Sequence, residues 1–188
     1  MEKIFNIALD GSSGSGKSTV ANYLSEHKNY GQLQSYTTRK ARYKNEPGHI
    51  YISDEEFDKL QNIVAYTEYN GCRYCATEEQ LNQTDIYVVD VPGVKTLLEK
   101  YSNTQRPIYI FYFDTTVKTR IDRMMERGDS DSAIISRLYV DEEFDWLKRL
   151  KNLTFDLGKR CNKDVRLFVI DANKKQADVV DQIMWYLE

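Results

Sequence analysis

The stretch Gly11-Ser12-Ser13-Gly14-Ser15-Gly16-Lys17-Ser18 follows an apolar run over residues 4–9 and leads into a helical pattern from Thr19 onward. Its glycines let the backbone turn tightly enough to direct successive N–H groups at one anion. The N-terminus of the following helix adds a partial positive charge. Lys17 would reach the β- and γ-phosphates of a nucleotide, and the Ser18 hydroxyl would ligate Mg²⁺. A Gly/Ser linker is the alternative, but the strand before and the helix after favour a P-loop that includes Thr19.

Composition limits the class of protein. The chain has 188 residues, the length of one domain, and its 41% hydrophobic and 29% charged residues are typical of a globular protein. A net charge of -3 gives no electrostatic basis for binding nucleic acid or an anionic membrane. No stretch has transmembrane length, and the N-terminus carries no signal-peptide pattern. We therefore expect a cytoplasmic protein whose partners are small molecules, and nothing indicates its oligomeric state.

The cysteine content also favours a reducing compartment such as the cytoplasm. Three cysteines, an odd number, do not make a disulfide framework. Cys72 and Cys75 form a C-x-x-C pair, but Cys161 with His27 and His49 does not supply a second ligand pair at zinc-motif spacing. A redox pair is the remaining alternative to small residues in a strand-rich region.

Strand and helix patterns alternate along the chain, which predicts one α/β domain with a parallel sheet between helices. Strands are expected near residues 3–9, 33–38, 63–69, 73–76, 85–90, 107–113 and 165–170. Helices are expected at 17–27, after a capping box at 53–56, from Pro92 to Tyr101, at 116–127, at 132–152 and after a cap at Asn173. Asn70-Gly71 predicts a hairpin turn, and the strongly apolar 107–113 predicts a central strand.

A polar loop after the second predicted strand is the best candidate for a second anion site. Its arginines lie three residues apart beside several hydroxyls, an arrangement that can grip a phosphate with paired hydrogen bonds. The residues concerned are Ser35, Thr37, Thr38, Arg39, Arg42, Tyr43 and Tyr51. The alternative is a solvated basic loop.

Several segments, in order along nearly the whole chain, resemble guanylate kinases. The acceptor segment of that family reads S-x-T-T-R-x-P-R, G-x-x-Y and S-x-E-E-F, and residues 35–42, 48–51 and 53–57 are similar to it. Residues 70–77 resemble the family's G-x-x-Y-G-T/S segment, and 90–93 its D-x-Q-G. Residues 123–128 with Arg137-Leu138 resemble the lid pattern of R-L, R-G and a later R-L.

The resemblance implies a nucleoside monophosphate kinase that moves the γ-phosphoryl group of ATP, with Mg²⁺, onto GMP or dGMP. It also implies a three-layer P-loop NTPase fold with a parallel core sheet, a small mixed α/β acceptor-binding subdomain over about 35–84 and a lid over about 123–140. Lys17 and the loop amides would hold the donor, and Arg127 and Arg137 would neutralise the transferring group. The acceptor would be held by Ser35, Arg39, Arg42, Tyr51, Glu68, Tyr74 and Asp90. Arg39 would also serve catalysis. Arg123 is either a further phosphate contact or a surface charge on the helix.

The base-reading positions depart from the family. An ungapped count from Gly71 puts Ala65 where guanylate kinases have a glutamate, and Ala76 falls where they have a hydroxyl. With a shift, Glu68 would take the carboxylate role and Thr77 the hydroxyl role. The acceptor-loop glutamate would fall at Asn45, one step from Glu46, and the later D-x-D keeps only Asp90.

Three hypotheses follow from these departures. The first is a guanylate kinase, and the second is a monophosphate kinase of the same build that selects another base, such as a pyrimidine. The third is a guanylate-kinase-like module that binds proteins without catalysis. The intact Gly16-Lys17-Ser18 weighs against the third hypothesis.

Overall fold

A parallel four-stranded sheet forms the centre of the computed structural model, which describes residues 6–41, 44–69, 71–101, 106–142, 145–160 and 164–187. In chain order the elements are β1 (Asn6–Asp10), α1 (Lys17–Lys28), β2 (Ser35–Thr37), β3 (His49–Tyr51), α2 (Asp54–Phe57), β4 (Ile63–Tyr69), β5 (Cys72–Thr77), α3 (Glu78–Gln83), β6 (Ile86–Val88), α4 (Val91–Lys100), β7 (Ile108–Asp114), α5 (Val117–Glu126), α6 (Asp131–Glu142), α7 (Trp146–Arg160), β8 (Val165–Asp171) and α8 (Gln176–Leu187).

The main sheet has the order β6-β1-β7-β8, with every neighbouring pair parallel. Because successive side chains of a strand point to opposite faces, β7 feeds two separate cores. Ile110 packs in one core with α4 and α7, and Phe111 packs in the other with α1 and α8. Both side chains are fully buried. The predicted three-layer α/β fold with an apolar central strand is therefore confirmed.

A second, smaller sheet has the order β3-β2-β5-β4. The β2–β3 pair is parallel, and the other two pairs are antiparallel, so this sheet is mixed. Helix α4 packs against β4 and links the small sheet to the main one. Both Cys72 and Cys75 are free thiols in β5, and Cys161 lies outside the described residues.

The parallel arrangement brings the ends of β1 and β6 to one edge of the main sheet. Asp10 ends β1 directly before the glycine-rich loop, and Asp90 follows β6 as the N-cap of α4. The Asp90 Oδ1 accepts a hydrogen bond from Gly93 N at 2.9 Å. Two carboxylates therefore flank the loop.

Two local predictions are wrong, and one predicted helix is short. The helix expected over 132–152 is two helices, α6 and α7, and Asp145 caps the second one by accepting from Lys148 N at 3.0 Å. The capping box at Ser53 is present, but its helix ends at Phe57 after only four residues. Asn173 does not cap α8, because its Oδ1 accepts from Thr116 N at 2.9 Å and so joins the start of α5.

Candidate active site

The glycine-rich loop has a backbone that only glycine adopts readily at its key positions. Gly14 has φ +79° and Gly16 has φ +98°, both in the left-handed region. A Cβ atom on Gly14 would lie 2.8 Å from the Arg120 carbonyl oxygen of α5. The loop therefore packs against α5 through a contact that leaves no room for a side chain, as expected of a preformed anion cradle.

Lys17 is folded onto this loop. Its Nζ donates to Gly11 O at 2.5 Å, to Ser12 O at 2.9 Å and to Ser15 Oγ at 3.2 Å. Desolvation lowers the pKa of Lys17, although the nearby carboxylates of Asp10 and Asp141 oppose that shift. The ammonium is thus held by neutral carbonyl and hydroxyl oxygens, which bind it less strongly than an anionic phosphate oxygen would.

Asp10 lies beneath the loop, and sequence reasoning did not single it out. The residue is 3% exposed, and its Oδ1 accepts from Gly11 N at 2.5 Å. Within the described part of the chain its Oδ2 has no hydrogen-bond partner. Burial raises the pKa of Asp10 to about 7, although the Lys17 ammonium lowers it. Its position at the carboxyl end of the first parallel strand was the available signal.

The raised pKa of Asp10 predicts a pH-dependent stability. A carboxyl whose folded-state pKa exceeds its unfolded value loses its stabilising contribution as the pH rises through the folded value, about 7 here. We expect the melting temperature of Asp10→Asn, relative to wild type, to increase by a few degrees (~3 °C) between pH 5.5 and 8. Thermal unfolding monitored by circular dichroism at several pH values measures this difference.

The surface variant Asp122→Asn serves as the control for that experiment. Asp122 pairs with Lys118 in solvent at 2.6 Å, and its variant should differ from wild type by a constant amount over the same pH range. A pH-independent difference for Asp10→Asn would contradict the prediction.

A cleft of about 460 Å³ lies between the glycine-rich loop and the small sheet. It brings together eight residues that the sequence predicted for donor or acceptor binding: Gly11, Ser12, Ser13, Lys17, Ser35, Glu68, Tyr74 and Asp90. His49, which sequence reasoning did not assign to the site, also lines it. Its Nδ1 lies 2.8 Å from Ser35 Oγ, and its ring meets Tyr74 edge-on with centroids 5.6 Å apart.

Asp90 contributes a largely desolvated carboxylate to this cleft. Burial raises the pKa of Asp90, while the hydrogen bonds from Gly93 N and the Thr67 side chain lower it. Thr67 also lines the cleft and was missed by the sequence analysis. A hydroxyl and a carboxylate thus lie side by side in the cleft.

Arg39 is already paired. Its guanidinium donates to both carboxylate oxygens of Glu46, at 3.1 and 2.9 Å, and to Tyr51 Oη at 3.2 Å. The Glu46 side chain is only 7% exposed. Glu46 rather than Asn45 therefore faces Arg39. Arg42 lies outside the described residues.

A second cleft, of about 470 Å³, runs along the other side of the loop. It is lined by Gly16, Thr19, Arg123 and Arg127 and by residues after β8, including Lys174. Arg123 donates to Ser15 O at 3.0 Å and to Lys174 O at 3.2 Å, so it bridges the loop and the chain after β8. Arg123 is therefore more than a surface charge.

The two predicted lid arginines meet at one carboxylate. Arg127 Nε donates to Asp129 Oδ1 at 3.0 Å, and Arg137 Nη1 lies 3.8 Å from Asp129 Oδ2. Gly128, between them in the chain, has φ +85° and open space around it. The turn thus holds both guanidinium groups close together, although they come from different helices.

The two alanines that depart from the guanylate kinase pattern lie in the hairpin of β4 and β5. Ala65 and Ala76 are opposite each other across β4 and β5, and both are fully buried in the core under α4. Thr77, the shifted alternative, caps α3 by accepting from Gln80 N and is not among the residues that line the cleft. Glu68 does line the cleft, and its carboxylate accepts a hydrogen bond from Tyr66 Oη.

A P-loop at the end of the inner parallel strand β1, facing a polar cleft against the small sheet, is characteristic of P-loop nucleotide-binding proteins. A family model described as an AAA domain matches residues 7–146. The guanylate kinase of Helicobacter pylori is 31% identical over 169 residues, which cover 78% of this chain and 80% of that protein. The guanylate kinase of Clostridium tetani is 29% identical over 149 residues, 73% of this chain and 70% of that one. The chain belongs to the guanylate kinase family.

Two solved structures share the fold of this chain. The guanylate kinase of Anaplasma phagocytophilum superposes with a TM-score of 0.53 at 20% identity, over all of this chain and 86% of that one. A gluconokinase from Sinorhizobium meliloti superposes with a TM-score of 0.50 at 16% identity, over 100% of this chain and 93% of that one. Among the described helices, none has the length and apolar character needed to cross a membrane.

Proposed function

We propose that the chain is an ATP-dependent nucleoside monophosphate kinase that transfers the γ-phosphoryl group of ATP to GMP or dGMP. One observation carries the proposal. A single cleft is lined at one side by Lys17 of the P-loop and at the other by Ser35, Glu68, Tyr74 and Asp90. Donor and acceptor phosphates bound at its two sides would face each other, and such positioning is most of what phosphoryl transfer needs from a protein.

On the donor side, the amides of residues 11–19 would bind the phosphates of ATP. Lys17 would exchange its contacts with the Gly11 and Ser12 carbonyls for the β- and γ-phosphate oxygens. The cleft lined by Thr19 and Arg123 would take the adenosine. No general base is needed, because the acceptor phosphate is itself the nucleophile.

On the acceptor side, Ser35, Arg39, Arg42, Tyr51 and Tyr74 would bind the phosphate of the monophosphate. Glu68 and Asp90 would bind the base. Both terminal nitrogens of Arg39 already donate to Glu46 and Tyr51, so Arg39 would exchange some of these contacts for phosphate oxygens, as Lys17 would on the donor side. Charge on the transferring group would be neutralised by Arg127 and Arg137, which lie close together at Asp129.

Magnesium fits the residues at the donor side. Mg²⁺ prefers oxygen ligands, and the exposed Ser18 directly follows Lys17 in the first turn of α1. In the part of the chain that the structure describes, no three His, Cys, Asp or Glu side chains form a metal-binding group. Ser18 would therefore hold the ion together with nucleotide phosphates and water, and the ion would supply charge neutralisation.

Two parts of the chain would move when the substrates bind. Residues of about 35–84, which contain the small sheet, would form the acceptor-binding subdomain, and residues of about 123–140 would form the lid. Gly128, with its positive φ and open surroundings, is suited to be the pivot of the lid. Lid closure would exclude water from the transferring group.

A specific observation also supports a second candidate, the same reaction on another base. The two family positions that would read guanine are Ala65 and Ala76, and neither has any exposed surface. Guanine selection would then depend on Glu68, Thr67 and Asp90. A polar group left unpaired in a base site costs much binding free energy. These three residues would therefore decide which base is accepted.

The test is a coupled ADP-release assay with ATP and Mg²⁺, in which GMP, dGMP, AMP, CMP, UMP and dTMP are offered separately. We expect turnover with GMP and dGMP to exceed that with the other acceptors. Turnover confined to another base would support the second candidate. No turnover with any acceptor would contradict the kinase assignment and favour a protein-binding module.

A further inference from the structure

Helix α6 reaches the tip of the P-loop through Asp141. The Asp141 Oδ2 accepts a hydrogen bond from Ser13 N at 3.0 Å. The same oxygen accepts from Arg120 Nη2 of α5, and Arg120 Nε donates to Ser13 O at 2.8 Å. Ser13, Arg120 and Asp141 thus form a closed triangle that joins the P-loop to two helices more than a hundred residues further along the chain. Neither Arg120 nor Asp141 belongs to a motif recognisable in the sequence.

These contacts lie away from bulk solvent. The side chain of Arg120 is 6% exposed and that of Asp141 is 11% exposed. Asp141 also interacts electrostatically with the positively charged side chains of Lys17 and Arg137. An ion pair at this depth is far less screened than one on the surface, so replacing one partner changes the local charge balance strongly.

The surroundings of Asp141 Oδ2 are those of a bound phosphoryl oxygen. It accepts from a P-loop backbone N–H and from an arginine, close to the P-loop lysine. P-loop amides and guanidinium groups are the usual donors to nucleotide phosphates. A carboxylate and a triphosphate cannot both occupy these donors, because both are anionic and the donors are shared.

We propose that Asp141 occupies the position of the donor γ-phosphoryl group in the nucleotide-free protein, and that Arg120 contacts that group once a triphosphate displaces Asp141. The proposal rests on the proposed function, since it concerns the same donor site. Arg120 would then join Arg127 and Arg137 in neutralising charge on the transferring group. Helix α6, through Asp141, would compete with ATP for the donor site. The alternative is that the triangle only fastens α6 to the P-loop.

The two interpretations differ in how binding depends on the γ-phosphate. If Asp141 competes with that group, Asp141→Asn removes a negative charge that opposes ATP but scarcely opposes ADP. Arg120→Lys removes part of a fork that a terminal phosphate would use. A purely structural triangle would change the affinities for ADP and ATP by the same factor, or not at all.

The experiment measures dissociation constants of MgADP and of the β,γ-imido analogue of MgATP by calorimetry, without acceptor. We expect Asp141→Asn to raise the preference for the triphosphate analogue about fivefold or more, and Arg120→Lys to lower it about tenfold. Asp122→Asn, a surface carboxylate of α5 paired with Lys118, is the matched control and should leave the preference unchanged.

Unfolding curves of each variant establish that it is folded, and the isosteric Asp141→Asn remains informative if Arg120→Lys does not fold. Equal shifts for the two nucleotides in Asp141→Asn would overturn the proposal. So would a wild-type protein that binds neither nucleotide. If the preference shifts as expected but no monophosphate is turned over, the donor-site proposal stands and the proposed kinase function fails.

Discussion

Lys17→Ala is expected to reduce kcat about a thousandfold while leaving the protein folded. The ammonium is the P-loop cation that would neutralise charge on the transferring phosphoryl group, and removing one such preorganised contact typically costs two to three orders of magnitude, or about 3–4 kcal/mol of transition-state stabilisation. The protein should remain folded, because the hydrogen bonds of the ammonium go to the neutral Gly11, Ser12 and Ser15 oxygens and its charge is desolvated, although Asp10 and Asp141 lose a nearby positive charge. Initial rates with GMP and ATP at saturation measure the effect.

Lys28→Ala is the matched control for that substitution, since Lys28 lies in the exposed last turn of the same helix. It should retain wild-type turnover. A Lys17→Ala protein that keeps more than about a tenth of wild-type kcat would show that other cations bind the transferring group, and the assignment of Lys17 would be wrong.

Arg39→Ala should lower kcat/KM for the acceptor at least a hundredfold, a larger loss than deleting a simple contact. The substitution removes a bidentate cation and also leaves the Glu46 carboxylate, 7% exposed, without its strongest partner. Breaking a buried ion pair on one side costs about 3–5 kcal/mol, and here the remaining charge would also repel the acceptor phosphate. Steady-state kinetics with varied GMP at saturating ATP measure the loss.

The double variant Arg39→Ala/Glu46→Gln separates the two causes. Neutralising Glu46 should restore part of the acceptor affinity if repulsion contributes, whereas the lost contact cannot be restored. Arg73→Ala is the control, because Arg73 pairs with Asp54 and Asp58 on the outer surface of the small sheet. A loss that appears in KM for ATP instead of the acceptor would contradict the assignment of Arg39.

The sequence predicted the parts of the fold that depend on local patterns. The glycine spacing of the P-loop, the apolar run of β7 and the capping box at Ser53 each act over a few residues, so a single chain displays them. The break between α6 and α7 was missed because the helical pattern continues across it. Its cause, the Asp145 cap, is one of several acidic residues in that stretch and does not stand out.

The candidate site was predictable only where it lies in a motif. Lys17, Ser35, Tyr74 and Asp90 come from recognisable segments, and the structure gathers them at one cleft. The contacts of Ser13 with Arg120 and Asp141 join residues far apart in sequence, and no local pattern shows that both Arg120 and Arg123 of α5 contact the loop. The burial of Ala65 and Ala76 likewise depends on how α4 covers the hairpin, which is a tertiary property.

The carboxylate of Asp129, shared by Arg127 and Arg137, has a consequence for competing anions. A tethered carboxylate acts at an effective concentration that reaches the millimolar range or more, so a free ion must exceed that level to displace it. Inorganic phosphate or sulfate, held by these two arginines alone, should compete poorly. A nucleotide makes many contacts at once and can therefore displace Asp129 from the two arginines. The lid arginines would thus bind free phosphate or sulfate weakly. They would bind tightly only an anion that other residues of the protein also hold.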